Sequence, residues 1–370
     1  MNSSAPQQDR ATTNETAAQN EATPASASNA TPRDPSSERK TMKVISQDAY
    51  GSPELLVLRE IEKPVAAKHE VRVRVHSAAL HVGDCFGVRG DPLLVRITTG
   101  LLKPKHGIPG YDLAGRVEAV GEAVTRFQVG DEVFGACEGA CAEYVCVNEN
   151  TLALKPSEIT FEQAAAVPTS GLAALHALRD VAKIMPGQSV LIIGASGGVG
   201  TFAVQIAKSF EAEVTAVCST PNVDMVRSIG ADHVIDYTRE DFAAGSARYD
   251  VIFDNIENRS LADCRRALTP SGTLVLNSGT GAQGLAFMIR LLKPLVLSPL
   301  VRQRLCRYLS VPNHEDLNVL ANQLRSAAVI PVIDRTVSLD EVPDAIRYLE
   351  NGHARGKVVV NVSSLEHFHK

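Results

Sequence analysis

From Met42 onward, apolar residues recur in two rhythms. Up to about residue 160 the rhythm is short and alternating: VRVRV (71–75), GRVEAVG (115–121), DEVFG (131–135) and AEYVCV (142–147), with glycine and proline turns between them. Alternation with a period of two puts one face of each run against a core, which predicts a compact, mostly antiparallel β domain. Beyond residue 160 the texture changes. FEQAAAVPTSGLAALHAL predicts helix, and then the apolar runs SVLIIG (189–194), EVTAVC (213–218), HVIDY (233–237), YDVIFDN (249–255) and GTLVLNS (272–278) alternate with helical stretches. Strands separated by helices predict βαβ units and a doubly wound parallel sheet, so the fold class is α/β. The closing IPVIDRTVSLDEVPDAIRYLENGHARGKVVV predicts strand, helix and strand in the texture of the first domain.

Residues 1–41 carry no Leu, Ile, Val or Phe and are rich in Ser, Thr, Ala, Asn, Gln and Pro. Such a segment cannot offset its ordering entropy by burial, so a disordered tail is predicted. It has no apolar signal region, and Asp9, Glu15, Glu21, Asp34 and Glu38 argue against an organelle presequence. The length of 370 residues suits about two domains. A formal charge of −5 gives no basis for binding nucleic acid. The 7 cysteines are scattered and do not read as a disulfide framework, which favours a reducing, cytoplasmic setting. Cys137, Cys141 and Cys146 cluster, but without the spacing of a structural zinc site. Segment 284–305 is apolar, yet Arg290, Lys293, Pro294, Pro299 and Arg302 interrupt it, so no integral membrane segment is expected. A pocket-covering or subunit-contacting helix is the main reading there, and a peripheral membrane surface the alternative.

The chemistry starts at GASGGVGTFAVQIAK, 194–208, between the run SVLIIG and a stretch with helical apolar spacing. A glycine loop between strand and helix is the setting of a dinucleotide fingerprint. Gly197 lets the backbone approach a pyrophosphate and Gly200 lets the helix pack on the strand, while Ala195 stands where the first glycine of the fingerprint is usual. At the end of the second strand, where NAD binders place an acid, the chain has Cys218, Ser219 and Thr220. With hydroxyls and no carboxylate in that stretch, NADPH is expected over NADH, which remains possible.

In this order the motifs LHVGDCFGVRG (80–90), GIPGYDLAGRVEAVG (107–121), VGDEVFG, AAAVPTSGLAALHAL, ASGGVGTFAVQIAK, GADHVIDY (230–237) and GHARGKVVV (352–360) resemble the medium-chain dehydrogenase/reductase superfamily, in its zinc-free quinone oxidoreductase-like branch. The resemblance implies a GroES-like catalytic domain, 42–165 and 326–370, and a Rossmann domain, 166–325. The cofactor would lie between them. It implies that Ser196, Gly197, Gly198, Val199 and Gly200 hold the pyrophosphate, Ser219 and Thr220 the 2′-phosphate edge, and Tyr237 the adenosine side. Asn255 and Gly279 would flank the ribose and nicotinamide, and Lys357 would approach from the last segment. The places that hold catalytic zinc in related alcohol dehydrogenases carry His81, Tyr111 and Thr169 here, one ligand-type side chain of three, so no metal is expected.

Without a Lewis acid, a conjugated acceptor is easier to reduce than an alkoxide is to stabilise. The expected activity is hydride transfer from NADPH to quinones or α,β-unsaturated carbonyl compounds, with His81 and Tyr111 as donors to the carbonyl oxygen. For His81 the alternative is that it orients the loop or cofactor, and for Tyr111 that it is a packed aromatic with its hydroxyl bonded to backbone. Asp84 is expected to fix its loop. His76, His106 and His176 are expected to be structural or surface residues. The competing functions are an NAD(P)-dependent alcohol dehydrogenase recruiting metal through His81, and a cofactor-binding protein of low activity on a membrane surface. A homodimer is the expected assembly.

Overall fold

The computed structural model describes residues 40–277 and 296–363, together with Leu292 and Pro294. The tail up to residue 39, Gly279 and, within segment 284–305, residues 284–291, 293 and 295 lie outside the described residues.

Two sheets organise the chain. The first is six-stranded and parallel, in the order His233–Asp236, Glu213–Cys218, Ser189–Ile193, Tyr249–Asp254, Leu268–Leu276, Arg304–Arg307. Numbered along the chain this is 3-2-1-4-5-6, the doubly wound arrangement, and its order reverses beside Ser189–Ile193. Val190, Leu191, Ile192 and Ile252 have no exposed surface, because helices cover both faces and leave no polar side to alternate with.

The second sheet is seven-stranded and mostly antiparallel. It takes Glu70–Leu80, Asp112–Val120, Glu132–Ala136, Tyr144–Asn148 and Leu152–Leu154 from the first half of the chain, and Ile333–Ser338 and Lys357–Asn361 from its end. In Glu70–Leu80 buried and half-buried positions alternate before the strand dives fully into the core. Thr41–Ser46 and Val57–Glu62 form a separate hairpin-like pair.

The expected helix over 161–178 is interrupted. Phe161–Ala165 starts at a Thr160–Gln163 capping box, and a second helix, Pro168–Leu175, restarts at Pro168. Proline has no N–H to extend the first helix but suits the first turn of a new one. A π-helical turn, His176–Ala182, continues it. The second helix packs with Gly198–Ser209 in one apolar core through Leu172, Ala174, Phe202 and Ala203.

Candidate cofactor and acceptor site

The glycine loop leaves the strand Ser189–Ile193 at the point where sheet order reverses, the usual cofactor crevice of such a sheet. Its sharp turn is taken by Gly194, whose φ of 76° suits glycine, and Ala195 needs no positive φ. The missing first glycine is therefore supplied one residue earlier. Gly200 is fixed by packing: a Cβ there would come within 2.1 Å of the Gly194 carbonyl oxygen. A Cβ on Gly197 would meet its nearest atom only at 3.5 Å, so the loop is open on that side. Helix Gly198–Ser209 has no side-chain cap at Gly197, which leaves the first-turn N–H groups for an anion.

Asn222 joins the two predicted phosphate and ribose elements. Its Nδ2 donates to Ser196 Oγ (3.1 Å) and Ser219 Oγ (3.2 Å). Its Oδ1 is buried with no partner among the described residues, an orphaned acceptor of the kind a ribose hydroxyl satisfies. The loop and these side chains fit a dinucleotide. Thr220 is committed elsewhere, donating to Asp236 Oδ2 at 2.6 Å. The expectation of an edge without a carboxylate is thus corrected: the neighbouring parallel strand brings Asp236 to it. That hydrogen bond opposes the effect of burial and holds the carboxyl below its ordinary range, with Thr238 adding to it. Arg239 Nε, on an exposed side chain, lies 3.6 Å from the same carboxylate and supplies a cation to this edge. Tyr237 follows Asp236 and is 54% exposed.

Asn255 sits across the switch point. Its Nδ2 donates to the Ile193 carbonyl (3.1 Å) and its Oδ1 accepts from Asn277 (2.9 Å), so it ties the ends of three strands together beside Gly194.

Lys357 comes from the other sheet and passes under the loop, its Cδ 3.3 Å from where a Gly198 Cβ would stand. Its Nζ bonds Asp112 Oδ2 at 2.9 Å, and both residues are buried. Thr169 donates to Asp112 Oδ1 through its N–H (2.9 Å) and its hydroxyl (2.5 Å). One residue before Lys357, the Gly356 N–H donates to the Ser196 carbonyl (2.9 Å), and Gly356 forms a parallel bridge with Gly197. The ammonium is thereby directed at Asp112.

His81 and Tyr111 do come together. Their rings meet edge to face, 6.2 Å between centroids, in the wall of a cavity of about 460 Å³ that Val95, Thr99, Ile108 and Glu138 also line. His81 caps helix Val82–Arg89: its Nδ1 accepts the Gly83 N–H (2.9 Å), while Asp84 accepts the His81 N–H (2.8 Å) and the Gly110 N–H (3.0 Å). An Nδ1 that accepts places the proton of the neutral ring on Nε2, and that atom is buried without a partner among the described residues. The Tyr111 side chain makes no hydrogen bond to backbone among the described residues, and burial, reinforced by Glu138, Cys137 and Asp112, raises its hydroxyl above the ordinary tyrosine range. Tyr111 therefore keeps its hydroxyl proton at neutral pH.

Of the other histidines, His76 stacks on Phe161 and His106 is exposed near Glu138. His176 is buried between Ser310 and Asp316, at 2.9 Å from each. All cysteines are unpaired thiols. Among the described residues no three His, Cys, Asp or Glu side chains gather as metal ligands. Asn222, Asp112, Asp236 and Arg239 were not singled out by the sequence. Only the position of Asp112, a carboxylate inside the apolar run after Tyr111, hinted at a buried partner.

A glycine loop at the switch point of a parallel sheet, facing a β-rich unit with proton donors in a cavity, defines an oxidoreductase that uses a nicotinamide cofactor. The chain matches the alcohol dehydrogenase GroES-like domain over 67–157 and a zinc-binding dehydrogenase domain over 229–360. It is 34% identical over 354 residues to the mitochondrial NAD(P)H oxidoreductase RTN4IP1 of Mus musculus, covering 85% of this chain and 88% of that protein. It is 34% identical over 336 residues to the chloroplastic NADPH-dependent alkenal/one oxidoreductase of Arabidopsis thaliana, covering 87% and 80%. The solved quinone oxidoreductase of Coxiella burnetii superposes with a TM-score of 0.75 at 29% identity, covering 87% of this chain and all of that one. The chain belongs to the medium-chain dehydrogenase/reductase superfamily, in its quinone oxidoreductase-like branch.

Proposed function

We propose that this protein is a zinc-independent reductase that transfers hydride from NADPH to quinones or α,β-unsaturated carbonyl compounds. The observation that carries the reading is the pair of protonated donors, His81 Nε2–H and Tyr111 O–H, in the wall of one cavity. A bound NADPH nicotinamide would supply the hydride and leave as NADP+, and a solvent proton would complete the reduction. Negative charge then develops on the acceptor's carbonyl oxygen, and the two donors stabilise it without a metal. Because the His81 cap and the Asp84 bonds hold the ring, little reorganisation accompanies the reaction.

Ser196 to Gly200 would bind the pyrophosphate, and Ser219 with Arg239 the 2′-phosphate, against the opposing charge of Asp236. Tyr237 would cover the adenosine side and Gly279 the nicotinamide side. Asn255 would hold the switch point open, and Lys357, anchored on Asp112, would act on the loop through the neighbouring Gly356–Ser196 bond. The domain limits 42–165 with 326–370 and 166–325, a homodimer and a cytoplasmic setting belong to the same proposal. The two relatives compared above are named mitochondrial and chloroplastic.

The test is a panel of water-soluble quinones and enones, following NADPH and NADH oxidation side by side with and without a chelator. Turnover with NADPH that a chelator leaves unchanged is expected. Activity that needs added zinc and an alcohol substrate would instead establish an alcohol dehydrogenase.

A further inference from the structure

The segment 91–106 has two faces. Inward, Val95, Thr98, Thr99 and Pro104 line the acceptor cavity. Outward, Leu93, Leu94, Ile97, Leu101 and Leu102 are exposed, Leu102 by 93% and Leu101 by 71%. Five large apolar side chains within ten residues make a concentrated patch of the kind that marks an interaction site rather than scattered surface leucines. Its charge decides the occupant. The segment carries Arg96, Lys103 and Lys105 against Asp91 in a chain of formal charge −5. Arg96 is turned inward, bonded to the Gly90 carbonyl and stacked over Tyr50, whereas Lys103 stays exposed beside the leucines and Lys105, also exposed, lines the cavity as well.

We propose that this face docks on a bilayer containing anionic lipid, so that the cavity behind it receives lipid-soluble acceptors: quinones or enones with long apolar tails. Leucines entering the acyl boundary with lysines at headgroup level is the arrangement of an interfacial segment. A second copy fits less well, since a two-fold contact centred on the patch would set Lys103 and Lys105 against themselves. The choice of acceptor rests on the reductase reading above; the docking itself does not.

The experiment is vesicle flotation of the full chain with phosphatidylcholine alone and with added phosphatidylglycerol, for wild type and the double variant Leu101→Asp/Leu102→Asp. Neither leucine lines the cavity. Wild type is expected to float with anionic vesicles and to be released by salt. The variant should partition about tenfold or more weakly, reduce a water-soluble quinone as wild type does, and lose turnover of a long-tailed quinone held in vesicles. Lys103→Glu should weaken flotation in the same direction. Absence of wild-type flotation, or equal flotation by the variant, overturns the proposal. So does a solution dimer that the same variant dissociates, because the patch then belongs to a second copy. Flotation without turnover of any acceptor would leave docking standing and remove the reductase reading.

Discussion

The ion pair of Asp112 and Lys357 is the most exacting place to perturb, because its partners lie 245 residues apart and neither touches water. Removing one member of a buried pair costs about 3–5 kcal/mol, mostly by stranding the other charge. The structure says which loss is larger. In Lys357→Met the Asp112 carboxylate keeps both donors from Thr169, so the cost falls near about 3 kcal/mol. In Asp112→Ala the ammonium loses its one acceptor among the described residues, and the cost rises to about 5 kcal/mol. The double variant Asp112→Ala/Lys357→Met removes both charges and should cost less than the sum of the singles by about 2 kcal/mol or more. Urea unfolding of the four proteins measures this cycle. NADPH binding, followed by fluorescence, should weaken about tenfold, or about 1.4 kcal/mol, in Lys357→Met. The link is structural: Gly356, next in the chain, donates to Ser196 in the cofactor loop. Single variants within about 1 kcal/mol of wild type, or a strictly additive double variant, would refute the reasoning.

Three further outcomes follow from the site. Tyr111→Phe, and His81→Ser, which keeps an N-cap acceptor, should each lower kcat by about 10²-fold while leaving the unfolding midpoint nearly unchanged. Steady-state kinetics beside thermal melts checks that split. Asp236→Asn removes the charge that opposes a 2′-phosphate near Arg239, so the ratio of kcat/KM for NADPH over NADH should rise. At Asp316, burial alone would raise the carboxyl, but hydrogen bonds from Arg179, Asn313 and His176 outweigh it and leave the pKa at about 2 against an ordinary 3.8. A depressed carboxylate contributes stability above its unfolded pKa and loses it as pH falls through the folded one. Asp316→Asn should therefore flatten the fall in stability between about pH 4 and pH 2, read from urea midpoints along a pH series.

The strands were readable because their signal is local. SVLIIG, EVTAVC and YDVIFDN are apolar enough to be covered on both faces, and each is a strand within a residue or two of the expected ends. The long helix is broken at Pro168 for an equally local reason, the missing N–H of proline. The loop was half legible. Its position followed from the strand before it and the helix after it, but which residue takes the positive φ depends on where the strand ends; it is Gly194, which leaves Ala195 free of that demand.

What stayed hidden is how hydrogen-bonding capacity is allotted. Thr220 reads as a phosphate donor in the sequence because a hydroxyl stands at the right offset from the strand. In the fold it donates to Asp236, which lies one parallel strand away and arrives there only through the strand register. His81 is the opposite case. The sequence left open whether it orients a loop or assists chemistry, and the capping geometry makes these one role: Nδ1 accepts from the loop, and that acceptance is what leaves a proton on Nε2. A residue type names the chemistry a position could do; its neighbours' unmet bonds determine which part of that chemistry remains for a ligand. By that criterion His81, Tyr111 and Asn222 remain available, while Thr220, Asn255 and Lys357 hold the frame around them.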